Sequence, residues 1–146
     1  MEKIDQQILA LLSGDGRMSY TDIGKATGLS TSAAQQRVRR LEQRGVILGY
    51  TARLNPVALG RTLTAFVEVT PLDPGQPDDI PDRLAPIEEV VSCYSIAGDA
   101  NYLLKVQVGT PLDLEHLLLR LRTTGNVTTH TTLVLSVPYE ERPFPG

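Results

Sequence analysis

The chain has 146 residues, 41% apolar and 21% charged, with a formal net charge of −3 and one cysteine, Cys93. That length holds one large domain or two small ones with a real core. A lone thiol excludes an intrachain disulfide and suits a reducing cytoplasm; no apolar run approaches the ~18 residues of a membrane span, and "MEKIDQQ" lacks the basic start and apolar core of a signal peptide, so a cytoplasmic protein with no membrane partner is expected.

Ile4, Ile8, Leu11 and Leu12 recur at the spacing of one helix face. "SGDG" at 13–16 breaks that helix. Ser19 opens the next, with Asp22 three residues on in a capping-box arrangement, and Ile23 and Ala26 are expected to face the core. Gly28 suits a helix C-terminus. Ser30 can cap a third helix, which runs to about Arg44 and is stopped by Gly45. Two helices joined by a short turn containing glycine read as a helix-turn-helix, a modest signal alone because many bundles share it.

The third helix sharpens the signal. At about 100° per residue, Ala34, Val38 and Leu41 form a buried stripe. Ser32, Gln36, Arg39 and Gln43 cluster opposite it, Arg40 flanks them, and Gln35 lies between the faces. Residues 1–61 hold nine lysines and arginines against five acids, whereas residues 62–146 hold five against twelve. The basic half can meet a polyanion. Hydroxyl, amide and guanidinium groups can bond base edges and phosphates of double-stranded DNA. No acid stands in the helix's first turn to repel a phosphate. The expected DNA contacts are Ser30, Thr31, Ser32, Gln35, Gln36, Arg37, Arg39 and Arg40. Ser32, Gln36 and Arg39 would face bases; Ser30, Thr31 and Arg40 would meet phosphates. Arg37 lies near the edge of the core stripe, so bracing the helix pair is its alternative role.

A strand is read at Ile47–Leu54, and "NPVALG" at 55–60 as a linker punctuated by Pro56 and Gly60. Beyond it, "LTAFVEV" alternates as a strand over 63–69. A short helix follows over about 78–85, with Pro81 tolerable only in its first turn. Strands are expected at 90–97 and 102–108, joined by the turn "GDAN". Thr110, Pro111 and Asp113 open a helix whose buried stripe is Leu114, Leu117, Leu118 and Leu121. The last strand is expected at 127–137. The order β-α-β-β-α-β is the ferredoxin-like arrangement. Its uncovered sheet face would expose Phe66 and Tyr94 or their neighbours, which argues for a dimer through the sheet.

Catalysis has little support. His116 and His130 show no ligand spacing to other residues, and no phosphate loop, CxxC or nucleophile elbow is present. Cys93, in an alternating strand, reads as a buried inert thiol. Glu88–Glu89 and Glu140–Glu141 are adjacent pairs, which point to opposite faces in a strand. No cofactor, metal or enzymatic activity is expected.

"KIDQQILALLSGDGRMSYTDIGKATGLSTSAAQQRVRRLEQRGVILGYTARLNP" resembles the N-terminal domain of the Lrp/AsnC (leucine-responsive, feast/famine) regulators, at Ile4-Asp5, Ile8-Leu9, "DGR", "GLS" and "RVRRLEQRGVI". The C-terminal order, with "IAGDANYLLKV" at its hairpin, is similar to that family's effector-sensing (RAM, ACT-like) domain. The resemblance implies an α+β chain with three parts: a helix-turn-helix DNA-binding domain at 1–46, a connecting strand and linker at 47–61, and an effector-binding and oligomerisation domain at 62–146. It implies that the third helix is the recognition helix, that the 47–54 strand pairs with its counterpart in a partner chain, and that homodimers assemble to tetramers or octamers. It implies an amino-acid effector between dimers, near Gly98, Asp99 and Asn101 of the hairpin and Thr129 and Thr131 of the last strand. Where the family commonly has Gly-x-x-Asp, this chain has Asn101, so Asp99 becomes the candidate for pairing with a ligand ammonium.

A sequence-specific transcriptional regulator sensing an amino acid is therefore expected. The rivals are an amino-acid-binding oligomer whose helix-turn-helix serves only assembly, and, more weakly, a small-molecule enzyme.

Overall fold

The structure is a computed structural model describing residues 1–146, with elements in the order α1 (Lys3–Gly14), α2 (Tyr20–Thr27), α3 (Thr31–Gln43), β1 (Leu63–Pro71), α4 (Ile80–Leu84), β2 (Val90–Ser95), β3 (Tyr102–Val108), α5 (Pro111–Gly125) and β4 (Val127–Leu133). No helix is long and apolar enough to cross a membrane. The chain divides into two compact units, residues 1–53 with 138–146, and residues 54–137.

In the first unit α1, α2 and α3 close on Ile8, Ile23, Ala34, Val38 and Leu41, with Leu9, Leu12, Met18, Tyr20, Leu29 and Ile47 packed around them. The starts of α2 and α3 each follow from a named cap, whereas α1 begins at Glu2 with no side-chain cap. Ser19 Oγ accepts from the Asp22 amide at 3.0 Å and Ser30 Oγ from the Ala33 amide at 3.1 Å. Gly28 ends α2 in the left-handed conformation (φ 77°), and its amide donates to Gly24 O. Ala26, expected in the core, is exposed, and Gly24 is buried instead. A Cβ on Gly24 would lie 2.5 Å from the Leu29 carbonyl oxygen. The α2–α3 turn folds back over that position, leaving room for a hydrogen only. Residues 138–146 complete the unit along α1: Ser13 Oγ donates to the Phe144 carbonyl at 3.3 Å.

The strand expected at Ile47–Leu54 does not form. Val46 and Ile47 still donate to Leu41 O at 2.9 and 3.1 Å, but residues 48–55 carry no ladder. A strand needs a neighbour for its N–H and C=O groups, and the single chain offers none there. Leu48 is 96% exposed. "NPVALG", read as a linker, folds as a turn: Asn55 Oδ1 accepts from the Val57 amide at 3.0 Å and Pro56 O from the Arg61 amide at 2.8 Å.

The second unit is a four-stranded antiparallel sheet, order β2-β3-β1-β4, with α4 and α5 on one face. Ala65, Val67 and Val69 of β1 alternate inward beside Tyr102, Leu104, Val106 and Val108 of β3. They meet Ile80, Leu84, Leu117 and Leu121, while Leu114 and Leu118 are partly buried. Thr110 and Asp113 make the reciprocal capping box of α5, each amide donating to the other side chain at 3.1 Å. Strand β4 ends at Leu133, short of the expected Val137; only the Val134 amide continues the pairing, to Thr64 O. Tyr94 is 50% exposed and Phe66 half-buried on the uncovered face.

Cys93 is exposed, not buried as read. Its strand β2 is a sheet edge and the helices do not reach over it. Partial desolvation still pushes the thiol pKa up, which keeps it protonated near neutral pH.

Candidate nucleic-acid interface and effector site

The face of α3 opposite Ala34, Val38 and Leu41 is free. Thr31, Ser32, Gln36, Arg39 and Arg40 are exposed, as is the capping Ser30, and Gln35 is half-buried between the faces. The first turn contains no acid. The local hydroxyls touch one another: Ser30 Oγ lies 3.4 Å from Ser32 Oγ, and Thr31 Oγ1 lies 3.3 Å from Thr21 Oγ1 of α2. The helix start therefore gathers short donors and acceptors, with Arg39 and Arg40 about two to three turns further along.

Arg37 is set apart from that group. Its Nη1 donates to Glu2 Oε2 at 3.0 Å and to Asp5 Oδ1 at 3.1 Å. Those hydrogen bonds, the Glu2 bond first, hold the guanidinium pKa further above its ordinary value. Of the two roles open for Arg37, the structure shows the bracing contact to α1. Sequence reasoning missed its partners. The available signal was Asp5, a carboxylate beside Ile4 and Ile8 on the inward side of α1, where a buried acid needs a cation.

The hairpin residues and the β4 threonines lie at one end of the second unit. Asn101 donates its amide to Val69 O at 3.1 Å, and Val69 pairs with Thr129 on its other side. The hairpin and Thr129 are thus separated by β1 alone. Thr131 sits one inward-facing position further along, opposite Val67. Gly98, Asp99 and Asn101 are exposed, whereas Ala100 is buried and anchors the turn. Thr129 and Thr131 are half-buried, on the side of β4 that faces the helices. Thr129 Oγ1 accepts from Arg122 Nη1 at 3.5 Å, a long contact that adds a cation the sequence reading did not include. The loop and the threonines share a sheet end without touching in the single chain.

Comparison with known proteins covers both units. Residues 1–42 match the AsnC-type helix-turn-helix domain, and residues 64–144 match the Lrp/AsnC ligand binding domain. The chain is 52% identical to the HTH-type transcriptional regulator LrpA of Mycobacterium tuberculosis, over 97% of this chain and 95% of that protein. It is 43% identical to the leucine-responsive regulatory protein of Escherichia coli K12, over 74% of this chain and 67% of that protein. Among solved structures, a feast or famine regulatory protein from M. tuberculosis complexed with L-methionine superposes with a TM-score of 0.93 at 52% identity, covering 97% of this chain and 96% of that one.

Proposed function

The chain belongs to the Lrp/AsnC family of transcriptional regulators, and from that premise we propose that it binds double-stranded DNA sequence-specifically through α3 and that an amino acid modulates its assembly or its DNA binding. Residues 1–46 are the DNA-binding domain in this reading, 47–61 the connector, and 62–146 the effector-binding and oligomerisation domain. Ser32, Gln36 and Arg39 meet base edges. Ser30, Thr31 and Arg40 meet phosphates, Gln35 flanks the bases, and Arg37 holds the helix to α1.

The observation that carries the reading is the exposed face of α3, with no acid before Glu42, above a buried Ala34–Val38–Leu41 stripe. A face of that composition in an otherwise acidic chain suits a polyanion. The effector reading rests on the ligand-binding domain match and on the L-methionine complex of the M. tuberculosis relative. Gly98, Asp99, Asn101, Thr129 and Thr131 form its site, and a second dimer completes it. A homodimer covering Phe66 and Tyr94, growing to a tetramer or octamer, supplies that neighbour.

The test is DNA affinity against salt, with the protein's own upstream region and a scrambled control. The reading requires a steep fall of log affinity with log salt and a preference for the true sequence. A second reading, in which the helix-turn-helix serves only assembly, draws on the exposed Leu48, Tyr50 and Leu54 that follow it in the sequence. It requires a flat salt response with no sequence preference, and that outcome would replace the first.

A further inference from the structure

The second unit carries a cavity of about 420 Å³ between α5, the end of β3, and the segments entering β1 and β2. That volume is in the range of small-ligand sites. Its floor is the buried Val108 and Leu117. Its walls are charged and mixed. Two groups are already paired: Arg120 Nη1 lies 3.0 Å from Glu89 Oε1. Asp113 is spent on the capping box. Arg61 and Glu88 remain, and neither side chain has a hydrogen bond or an ion pair.

We propose that this cavity is a second small-molecule site, separate from the hairpin, that takes a polar α-amino acid and prefers a basic one. An unpaired guanidinium offers a planar fork to an α-carboxylate, and an unpaired carboxylate accepts from an α-ammonium. The two are the complement of a zwitterion. The lining as a whole has three carboxylates against two arginines, so a ligand with an extra positive group gains and a dicarboxylate or phosphate is repelled. The N-terminus of α5 adds no attraction for an anion, because Asp113 already occupies it. Gln107 and His116 give the side chain of the ligand polar neighbours. The site is remote from the hairpin. Val108 pairs with Leu63 at one end of β1 and Tyr102 with Val69 at the other, six residues apart, or roughly 20 Å of strand.

The experiment is calorimetric titration of the full chain with L-arginine, L-glutamine, L-glutamate and N-acetyl-L-arginine, and with L-methionine for the hairpin. It is repeated on Arg61→Gln, Glu88→Gln and, for the hairpin, Asp99→Asn. L-Arginine is expected to bind most tightly, L-glutamine less, and L-glutamate and the acetylated form at least tenfold more weakly. Arg61→Gln and Glu88→Gln should each weaken L-arginine at least tenfold, while Asp99→Asn leaves it unchanged. Neither Arg61 nor Glu88 has a partner to lose, so both variants should keep the parent melting midpoint. L-Arginine binding abolished by Asp99→Asn but retained in the other two variants, equal binding of L-glutamate, or no binding at millimolar ligand would overturn the second site. Failure of Asp99→Asn to weaken L-methionine would instead count against the hairpin reading and leave this one standing.

Discussion

Arg37 Nη1 stands 3.1 Å from Asp5 Oδ1, so the middle of α3 is tied to the first turn of α1. The same guanidinium reaches Glu2 at 3.0 Å. Asp5 is buried, and removing Arg37 leaves that carboxylate without its cation. Arg37→Ala is expected to lower the melting midpoint of the helix-turn-helix unit by several degrees, measured by circular dichroism. Asp5→Asn should shift it in the same direction. If Arg37→Ala melts like the parent yet loses operator affinity, Arg37 belongs to the DNA interface after all.

Arg39 gives the opposite pattern. It is exposed on α3 and carries none of the contacts that hold the helices together. Arg39→Ala should weaken operator binding about tenfold, relax sequence preference at one base pair, and leave the melting midpoint unchanged. Arg40→Ala should weaken true and scrambled DNA alike and reduce the salt slope by about one.

Gly24 tests packing against propensity. Glycine to alanine in a helix interior is worth ~1 kcal/mol of stabilisation when space allows. Here the added carbon would lie 2.5 Å from the Leu29 carbonyl oxygen, and that oxygen is backbone in the turn between α2 and α3. Gly24→Ala should therefore lower the melting midpoint. A raised midpoint would mean that the turn moves aside at little cost.

Tyr102 carries an alkaline signature. Its hydroxyl donates to Asp78 Oδ1 at 2.7 Å. That bond, then burial, then the charge of Asp78 raise its pKa above the ordinary tyrosine value. The folded protein thus holds this proton more tightly than the unfolded chain does. The resulting stability is fully present below about pH 10 and is lost as the pH rises through the raised value. Denaturant midpoints from pH 8 to 11 should fall less steeply for Tyr102→Phe than for the parent.

Features written in short-range patterns were legible in the sequence. The caps at Ser19, Ser30 and Thr110, the Ala34–Val38–Leu41 stripe and the alternation of β1 and β3 each depend on residues a few positions apart, and each is found. What failed depends on distant neighbours. Residues 48–55 form no strand, because no other strand of the chain lies beside them to pair with. Cys93 alternates like a core residue, but it lies on an edge strand that sequence cannot distinguish from a central one. Ala26 and Gly24 exchange roles because the turn at Leu29 returns over Gly24. At the candidate sites the exposed face of α3 was readable from helical geometry. The Asp5–Arg37 brace joins residues 32 positions apart, and the Arg122–Thr129 contact depends on how α5 meets β4.

The run of residues 138–146 along α1 has a practical side. A Cβ built on Gly146 would come 3.1 Å from the Ala10 side chain, and Met1 and Phe144 line the same apolar hollow beside Leu9 and Leu12. An affinity tag, fluorophore or surface linker attached at Met1 or Gly146 would therefore start next to α1. Labels for binding assays are better attached through a cysteine placed in an exposed loop of the other unit, such as Gly75→Cys in the turn where Asp73 Oδ1 accepts from its amide, with the exposed Cys93 replaced by serine. Immobilisation at that point leaves α1 and the segment along it unencumbered.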